Sequence, residues 1–330
     1  MPSSSDKPRV LSGIRPTGAG FQLGNYLGAV KHWAAMQDEN ECFYFIADLH
    51  ALTEETDPAH LRSRTHSSVA ELLAMGIDPA RSVVFVQSHL PEHAELAWIL
   101  GCLTGFGEAS RMTQFKEKGG GTVGLFTYPV LQAADILMYQ PDAVPIGEDQ
   151  RQHLELTRDL AQRFNSRYGP TFTVPGQYVA KAGERIKDLQ DPARKMSKSI
   201  GGSGTLWVLD EPKVLVKKVK SAVTDTGREV VAGPDKPGVT NLLTILSVAS
   251  GTPVAELEAA YAGRGYGDFK ADVAQAVVEL FAPVRERYQA LVDAPDHLDA
   301  VLADGAERAG RVARETMSAV RDRVGLLRPA

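Results

Sequence analysis

The chain has 330 residues, 43% of them hydrophobic and 23% charged, with a formal net charge of −5. That length suffices for roughly two domains with cores of their own, and no run approaches the ~18 uninterrupted apolar residues of a membrane span. The acidic balance argues against a protein that coats nucleic acid indiscriminately, but leaves room for a local basic patch. In chain order, residues 1–8 are polar and Ser-rich and read as a frayed terminus rather than an export signal, which makes the cytoplasm the expected compartment. Residues 9–12 predict a first strand, and the apolar and aromatic runs 42–47 and 82–86 predict strands buried on both faces. Helical stretches are predicted near 25–39, 58–75 and 92–103, so strand and helix alternate as in a doubly wound parallel sheet of an α/β protein. A mostly basic run over 111–118 leads into a loop of Gly119, Gly120, Gly121 and Gly124. After about residue 205 only helices are predicted. One starts at Asp210-Glu211-Pro212, another at Thr252-Pro253 with proline in its first turn, and a last amphipathic one covers 305–324.

Two segments carry the patterns of nucleotide chemistry. Lys195-Met196-Ser197-Lys198-Ser199, followed by Gly201, Gly202 and Gly204, places two ammonium groups on a glycine-rich loop able to close on phosphates. Positioned cations of this kind stabilise the charge that spreads over phosphate oxygens during transfer. The other segment follows the first strand: Gly13-Ile14-Arg15-Pro16-Thr17-Gly18, then Gln22-Leu23-Gly24-Asn25-Tyr26-Leu27-Gly28. A glycine-rich loop between strand and helix brings backbone N–H groups to a nucleotide phosphate. Gly24 permits close approach of an adenosine, and Asn25 can both cap the helix and hydrogen-bond. Cys42 and Cys102 are too few for a thiolate metal centre and are expected to be packed in the core. His89 and His93 are separated by Pro91, which argues against a shared helix face and a zinc site.

The lysine loop matches the signature loop of class I aminoacyl-tRNA synthetases, and Leu23-Gly24-Asn25 resembles the form their other signature takes in the tryptophanyl enzymes. The two lie about 170 residues apart. Further segments resemble the bacterial tryptophanyl-tRNA synthetases: Asp48 to Thr53 after the second strand, Met112 to Lys118, Tyr128-Pro129 through Leu137, Val144 to Gln150, and His153 to Asp159. The resemblance runs from about residue 9 to the C-terminal helix. It implies a Rossmann-like catalytic domain over 9–204, an all-α anticodon-binding domain over 205–300, and a C-terminal helix within 305–330 that packs back on the first domain. It also implies ATP with Mg²⁺ as a substrate complex, no zinc or iron–sulfur cluster, tRNA(Trp) and L-tryptophan as further partners, a homodimer, and no membrane attachment.

Site residues follow from the same resemblance. Lys195, Lys198, Thr17 and Asn25 are expected to be catalytic. ATP is expected to meet Arg15, Pro16, Thr17, Gly24, Asn25, Gly147, Glu148, Asp149, Gln150, the main chain of Ile186, and Lys195, Met196, Ser197, Lys198 and Ser199. Tryptophan is expected to meet Asp135, His50, Tyr128, Gln132, Gly13, Val144 and Ile146. The residues themselves agree in part: Tyr128, Gln132, Asp135 and Tyr139 share one helix face. A carboxylate beside Ile136, Leu137 and Met138 is costly to bury without a partner, and one facing a flat apolar pocket suits an indole N–H. A basic face of Lys213, Lys217 and Lys220 is expected on the first helix of the second half, where a solvated surface is the plain alternative. The chain departs from the commonest family pattern at Arg15, where glutamine is usual, and at Gln132, where methionine is common; the loop from Gly18 to Gly24 is also slightly long. A tyrosyl-tRNA synthetase and a paralogue that no longer acylates tRNA are the rival readings.

Overall fold

The computed structural model describes residues 7–16, 20–54, 57–112, 121–147, 150–178, 186–196 and 202–327. Its centre is a sheet of five parallel strands, β1 (Arg9–Ile14), β2 (Glu41–Ile46), β3 (Ser82–Val86), β4 (Ala143–Pro145) and β5 (Gly176–Tyr178), in the order β3-β2-β1-β4-β5. Arg9 faces Glu41 and Ile14 faces Ile46 across β1 and β2, while Cys42 faces Ser82 across β2 and β3. Alternate residues feed opposite faces, as strand geometry requires. Val10, Cys42, Tyr44, Ile46, Val84 and Val86 enter one core, and Leu11, Phe43, Phe45, Val83 and Phe85 enter the other. The long runs predicted as strands are the doubly buried ones. The three-residue strands β4 and β5 have too short a pattern to be read from the sequence.

After β1 the chain enters one helical run: α1 (Leu23–Asn25), a π-helical turn (Tyr26–Val30) and α2 (Lys31–Met36). α3 (Asp48–Ala51) follows β2 directly, and α4 (Pro58–Ala74) starts on an Asp57 cap whose side chain accepts from the His60 N–H. α5 (Glu92–Gly101) and α6 (Phe106–Ser110) precede α7 (Val123–Met138), whose Thr122 cap accepts from the Leu125 N–H. α8 (Arg151–Tyr168) lies between β4 and β5 in the chain. The remainder is helical, with α9 (Pro212–Lys220), α10 (Pro237–Ser250), α11 (Val254–Ala260), α12 (Tyr266–Val292) and α13 (Pro295–Val324). Buried residues of α9, α10 and α12, among them Leu215, Leu242 and Phe269, continue the core that begins on the Val10 face of the sheet.

Several local expectations change. The last helix begins at Pro295 rather than near 305, because the apolar positions Leu298, Val301 and Leu302 already pack inward. Pro253 is the residue before α11, in extended backbone, not part of its first turn. Cys42 is buried as expected, but Cys102, at the carboxyl end of α5, is exposed: the apolar stretch around it turns Leu100 and Leu103 inward and leaves the thiol outside. α13 covers the edge of β3, where an added Cβ on Gly305 would stand 1.8 Å from the Val84 carbonyl oxygen. Arg308 Nη1 donates to the Pro79 and Ser82 carbonyls, and Thr316 Oγ1 to that of Met138. Edge strands with unpaired backbone invite association, and a covering helix removes that hazard. No single helix among the described residues is long and apolar enough to cross a membrane.

Candidate active site

β1 pairs with β2 on one side and with β4 on the other, so the winding direction reverses beside it. Crevices at the carboxyl ends of strands at such a reversal are the usual ligand sites of open α/β sheets. A cavity of about 550 Å³ opens there, and its walls include Gly13, Ile14 and Arg15 of β1 and its exit, and Val144 and Pro145 of β4. Gly13 is required by packing: a Cβ at this position would meet the Phe45 ring at 2.4 Å. His50, Tyr128, Gln132, Asp135, Ile146, Asn25, Gly147 and Gln150 also line the cavity. It therefore brings together all seven residues expected to meet tryptophan and four of those expected to meet ATP. Asn25, which lines the cavity, has a buried Oδ1 with no hydrogen-bond partner.

The floor of the cavity is polar in a specific way. Asp135, on α7, is 1% exposed. Its Oδ1 lies 2.7 Å from Gln87 Nε2 and 2.7 Å from His93 Nδ1, and its Oδ2 lies 2.8 Å from His50 Nε2. Burial on its own would push this carboxyl up, but hydrogen bonds from the His50 and His93 side chains bring it down to about 2. Gln87 is itself oriented, since its Oε1 accepts from the Leu49 N–H at 3.1 Å. Tyr128 approaches the His50 ring edge-on and its hydroxyl is 2.7 Å from His153 Nε2. Tyr139 does not extend the helical face it was expected to share. α7 ends at Met138, and the Tyr139 hydroxyl lies 2.8 Å from His93 Nε2, behind Asp135.

The two nucleotide motifs meet despite their separation in sequence. Gln22 Nε2 donates to the Met196 carbonyl at 3.0 Å, and Gln22 Oε1 accepts from the Gly24 N–H. Leu23 N donates to Leu206 O and Val208 N to Phe21 O, so the turn before α1 is stitched to both ends of the lysine loop. Met196 N donates to Ile186 O at 3.1 Å. Asn241 of α10 clamps the Lys187 backbone by donating to its carbonyl and accepting from its N–H. Asp188 caps the N–H groups of Gln190 and Asp191, and an added Cβ on Gly204 would fall 2.0 Å from its Oδ1. Lys195 is exposed at the base of this framework, while Ile186 and Met196 are buried in the core and, with Gly24 and Pro16, are not on the cavity wall. Thr17, Glu148, Asp149, Ser197, Lys198 and Ser199 lie outside the described residues.

Sequence reasoning missed Gln87 and His93. In sequence His93 stands out only by its spacing from His89, yet His89 is exposed in a turn and His93 is fully buried. Their link to Asp135 spans 48 and 42 residues. No local pattern encodes that distance; only a fully buried histidine in the first turn of an apolar helix hints at it.

The fold and this cavity define first a class: a doubly wound α/β protein with a ligand site at its switch point beside a lysine-bearing turn. A family model described as "tRNA synthetases class I (W and Y)" matches residues 3–282. A protein of Streptomyces avermitilis named tryptophan--tRNA ligase 2 is 58% identical over 332 residues, 98% of each chain. The solved tryptophanyl-tRNA synthetase of Mycoplasma pneumoniae aligns with a TM-score of 0.86 at 37% identity, over 97% of this chain and 98% of that one. That of Campylobacter jejuni, complexed with ADP and tryptophan, aligns at 0.86 and 36% identity over 96% and 100%. The chain belongs to the class I tRNA synthetases of the tryptophan and tyrosine family.

Proposed function

We propose that this chain activates L-tryptophan with ATP and transfers it to tRNA(Trp). The observation that carries the reading is Asp135, an ionised, buried carboxylate on the wall of the switch-point cavity. Relatives named tryptophan--tRNA ligase, and a neighbour solved with ADP and tryptophan, support the same assignment. Asp135 accepts the indole N–H, and His50, Tyr128, Gln132, Gly13, Val144 and Ile146 enclose the side chain. A site built on such a hydrogen bond disfavours substrates lacking the donor by roughly 10⁴-fold or more.

ATP enters as its Mg²⁺ complex and lies toward Arg15, Asn25, Gly147 and Gln150. The tryptophan carboxylate is already ionised near neutral pH, so the first step needs no general base. It attacks the α-phosphorus in line, and pyrophosphate leaves toward Lys195 and Lys198. Orientation and charge neutralisation are the enzyme's contribution. A ribose hydroxyl of the terminal adenosine of the tRNA, the 2′-hydroxyl by class I resemblance, then attacks the adenylate.

Residues 205–300 read the anticodon in this account, with Lys213, Lys217 and Lys220, all exposed on α9, offering charge to the phosphate backbone. The chain acts in the cytoplasm as a homodimer. Exposed Trp98, Phe106 and Val123, on α7 and the helices α5 and α6 that each pack against it, support the dimer. The test is aminoacylation of a tRNA(Trp) transcript with labelled tryptophan. Charging by the wild type and its loss in Lys198→Ala, with tryptophan binding retained, is the expected result. No charging by the wild type would bring forward the rival reading of a paralogue that no longer acylates.

A further inference from the structure

The donors around Asp135 are unequally divided between its oxygens. Oδ1 receives two, Gln87 Nε2 and His93 Nδ1, whereas Oδ2 receives one, His50 Nε2. A carboxylate oxygen has two acceptor sites in its plane. Oδ1 is therefore saturated from behind, and the open acceptor position is on Oδ2, the oxygen shared with cavity-lining His50. His93 is the residue that closes the other side. It is fully buried, does not line the cavity, and is surrounded by rings, with centroids of Phe45 and Phe85 at 6.2 Å and of Tyr139 at 5.6 Å.

Its tautomer follows from its neighbours. Nδ1 faces an ionised carboxylate and so carries a hydrogen. With the ring hydrogen on Nδ1, Nε2 is left as the acceptor for the Tyr139 hydroxyl 2.8 Å away. The chain Tyr139 O–H, His93 Nε2, His93 Nδ1–H, Asp135 Oδ1 then has every donor matched to an acceptor, running toward the cavity.

We propose that His93 is a specificity-positioning residue: through its Nδ1–H, held in register by Tyr139, it occupies Asp135 Oδ1 and leaves Oδ2 as the single acceptor offered to the substrate's ring N–H. The inference rests on Asp135 being the indole acceptor. Without His93, Oδ1 keeps only Gln87 and gains an open acceptor position, so the carboxylate would present a second acceptor and its discrimination would fall. With Oδ1 fixed by two donors from different elements, α5 and the turn after β3, the carboxylate plane is set before substrate arrives. Such preorganisation is what converts a hydrogen bond into selectivity.

The experiment compares tryptophan with 3-(3-benzothienyl)alanine, in which sulfur replaces the ring N–H, in ATP–pyrophosphate exchange. It uses the full chain as wild type, His93→Phe and His93→Asn. Asparagine can place an N–H near the Nδ1 position; phenylalanine fills the ring space without a donor. His93→Phe lowers the ratio of kcat/KM for tryptophan over the analogue by about tenfold or more, as expected for losing a hydrogen bond to a charged group. The loss falls mainly on the KM for tryptophan, with the KM for ATP as internal reference, and His93→Asn stays within about threefold of wild type. An unchanged ratio in His93→Phe, or a His93→Asn variant no better than it, overturns the proposal. A wild-type ratio near one would instead overturn the Asp135 reading itself. Nitrogen-15 NMR of the histidine rings in the wild-type protein reads the tautomer without any substitution. A hydrogen on Nδ1 and a bare Nε2 at His93 support the inference, and the reverse tautomer contradicts it.

Discussion

Asp135 sits at 1% exposure beside an apolar helix end, a placement that would cost several kcal/mol for an unpartnered carboxylate. Three donors offset that cost and keep it ionised, with a pKa lowered from 3.8 to about 2. The sign of the linkage follows. A carboxyl depressed in the folded state contributes stability that is fully present above its unfolded pKa and is lost as pH falls from about 4 toward 2. Asp135→Asn lacks this contribution, so the stability gap between wild type and variant narrows over that window, by an amount on the order of 2 kcal/mol. Thermal melts at pH 5, 3 and 2 measure it, and a gap that widens toward low pH would contradict the assignment. Arg15 makes a different claim. Its Nη2 stands 3.0 Å from Glu54 Oε1, yet Nε and Nη2 are buried without a hydrogen-bond partner, so the ion pair is poorly aligned and the guanidinium can be recruited by phosphate. Arg15→Gln is expected to alter the KM for ATP, and tryptophan-mimicking inhibitors are expected to change potency with it. An unchanged KM and unchanged inhibitor sensitivity would remove Arg15 from the nucleotide site.

At the scale of elements, Gly305 gives the sharpest prediction. In a free helix, alanine for glycine stabilises by up to about 1 kcal/mol. Here the new Cβ would lie 1.8 Å from Val84 O, so α13 must move off β3. Overpacking of this kind costs about 1–3 kcal/mol or more, and Gly305→Ala therefore lowers Tm; a raised Tm would mean that α13 does not lie on β3. The strands β2 and β3 were legible because each is a continuous apolar or aromatic run, α4 because proline in its first turn follows an Asp57 cap, and α9 because proline opens it. β4 and β5 were not, since three residues carry no period and their pairing is supplied by β1. Cys102 shows the same limit from another side: hydrophobic surroundings in sequence do not say which side of a helix end faces water. The wall of the cavity was largely legible from the family motifs. Its supporting layer, Gln87, His93 and Tyr139, was not, because those contacts join α5, α7 and the turn after β3 across more than 40 residues.

For the whole molecule, a core continuous from the Val10 face of the sheet through α9, α10 and α12 ties the helical half to the lysine loop. Asn241 makes that link explicit, since it grips the Lys187 backbone at the foot of the loop. Self-association is the property to test at α5 and α6. Phe106 is 79% exposed and Trp98 76%, and the Phe106 ring lies 5.1 Å from that of Phe126 on α7. Phe106→Asp is expected to shift a dimer toward monomer in sedimentation velocity. A dimer indifferent to that change would move the interface elsewhere.

The most direct test of the central claim is amino acid-dependent ATP–pyrophosphate exchange, run with tryptophan and tyrosine side by side in wild type and Asp135→Asn. The account predicts exchange with tryptophan alone in the wild type, and a tryptophan kcat/KM that falls by about tenfold or more in the variant. Exchange with tyrosine alone, or a variant as active on tryptophan as the wild type, would contradict it.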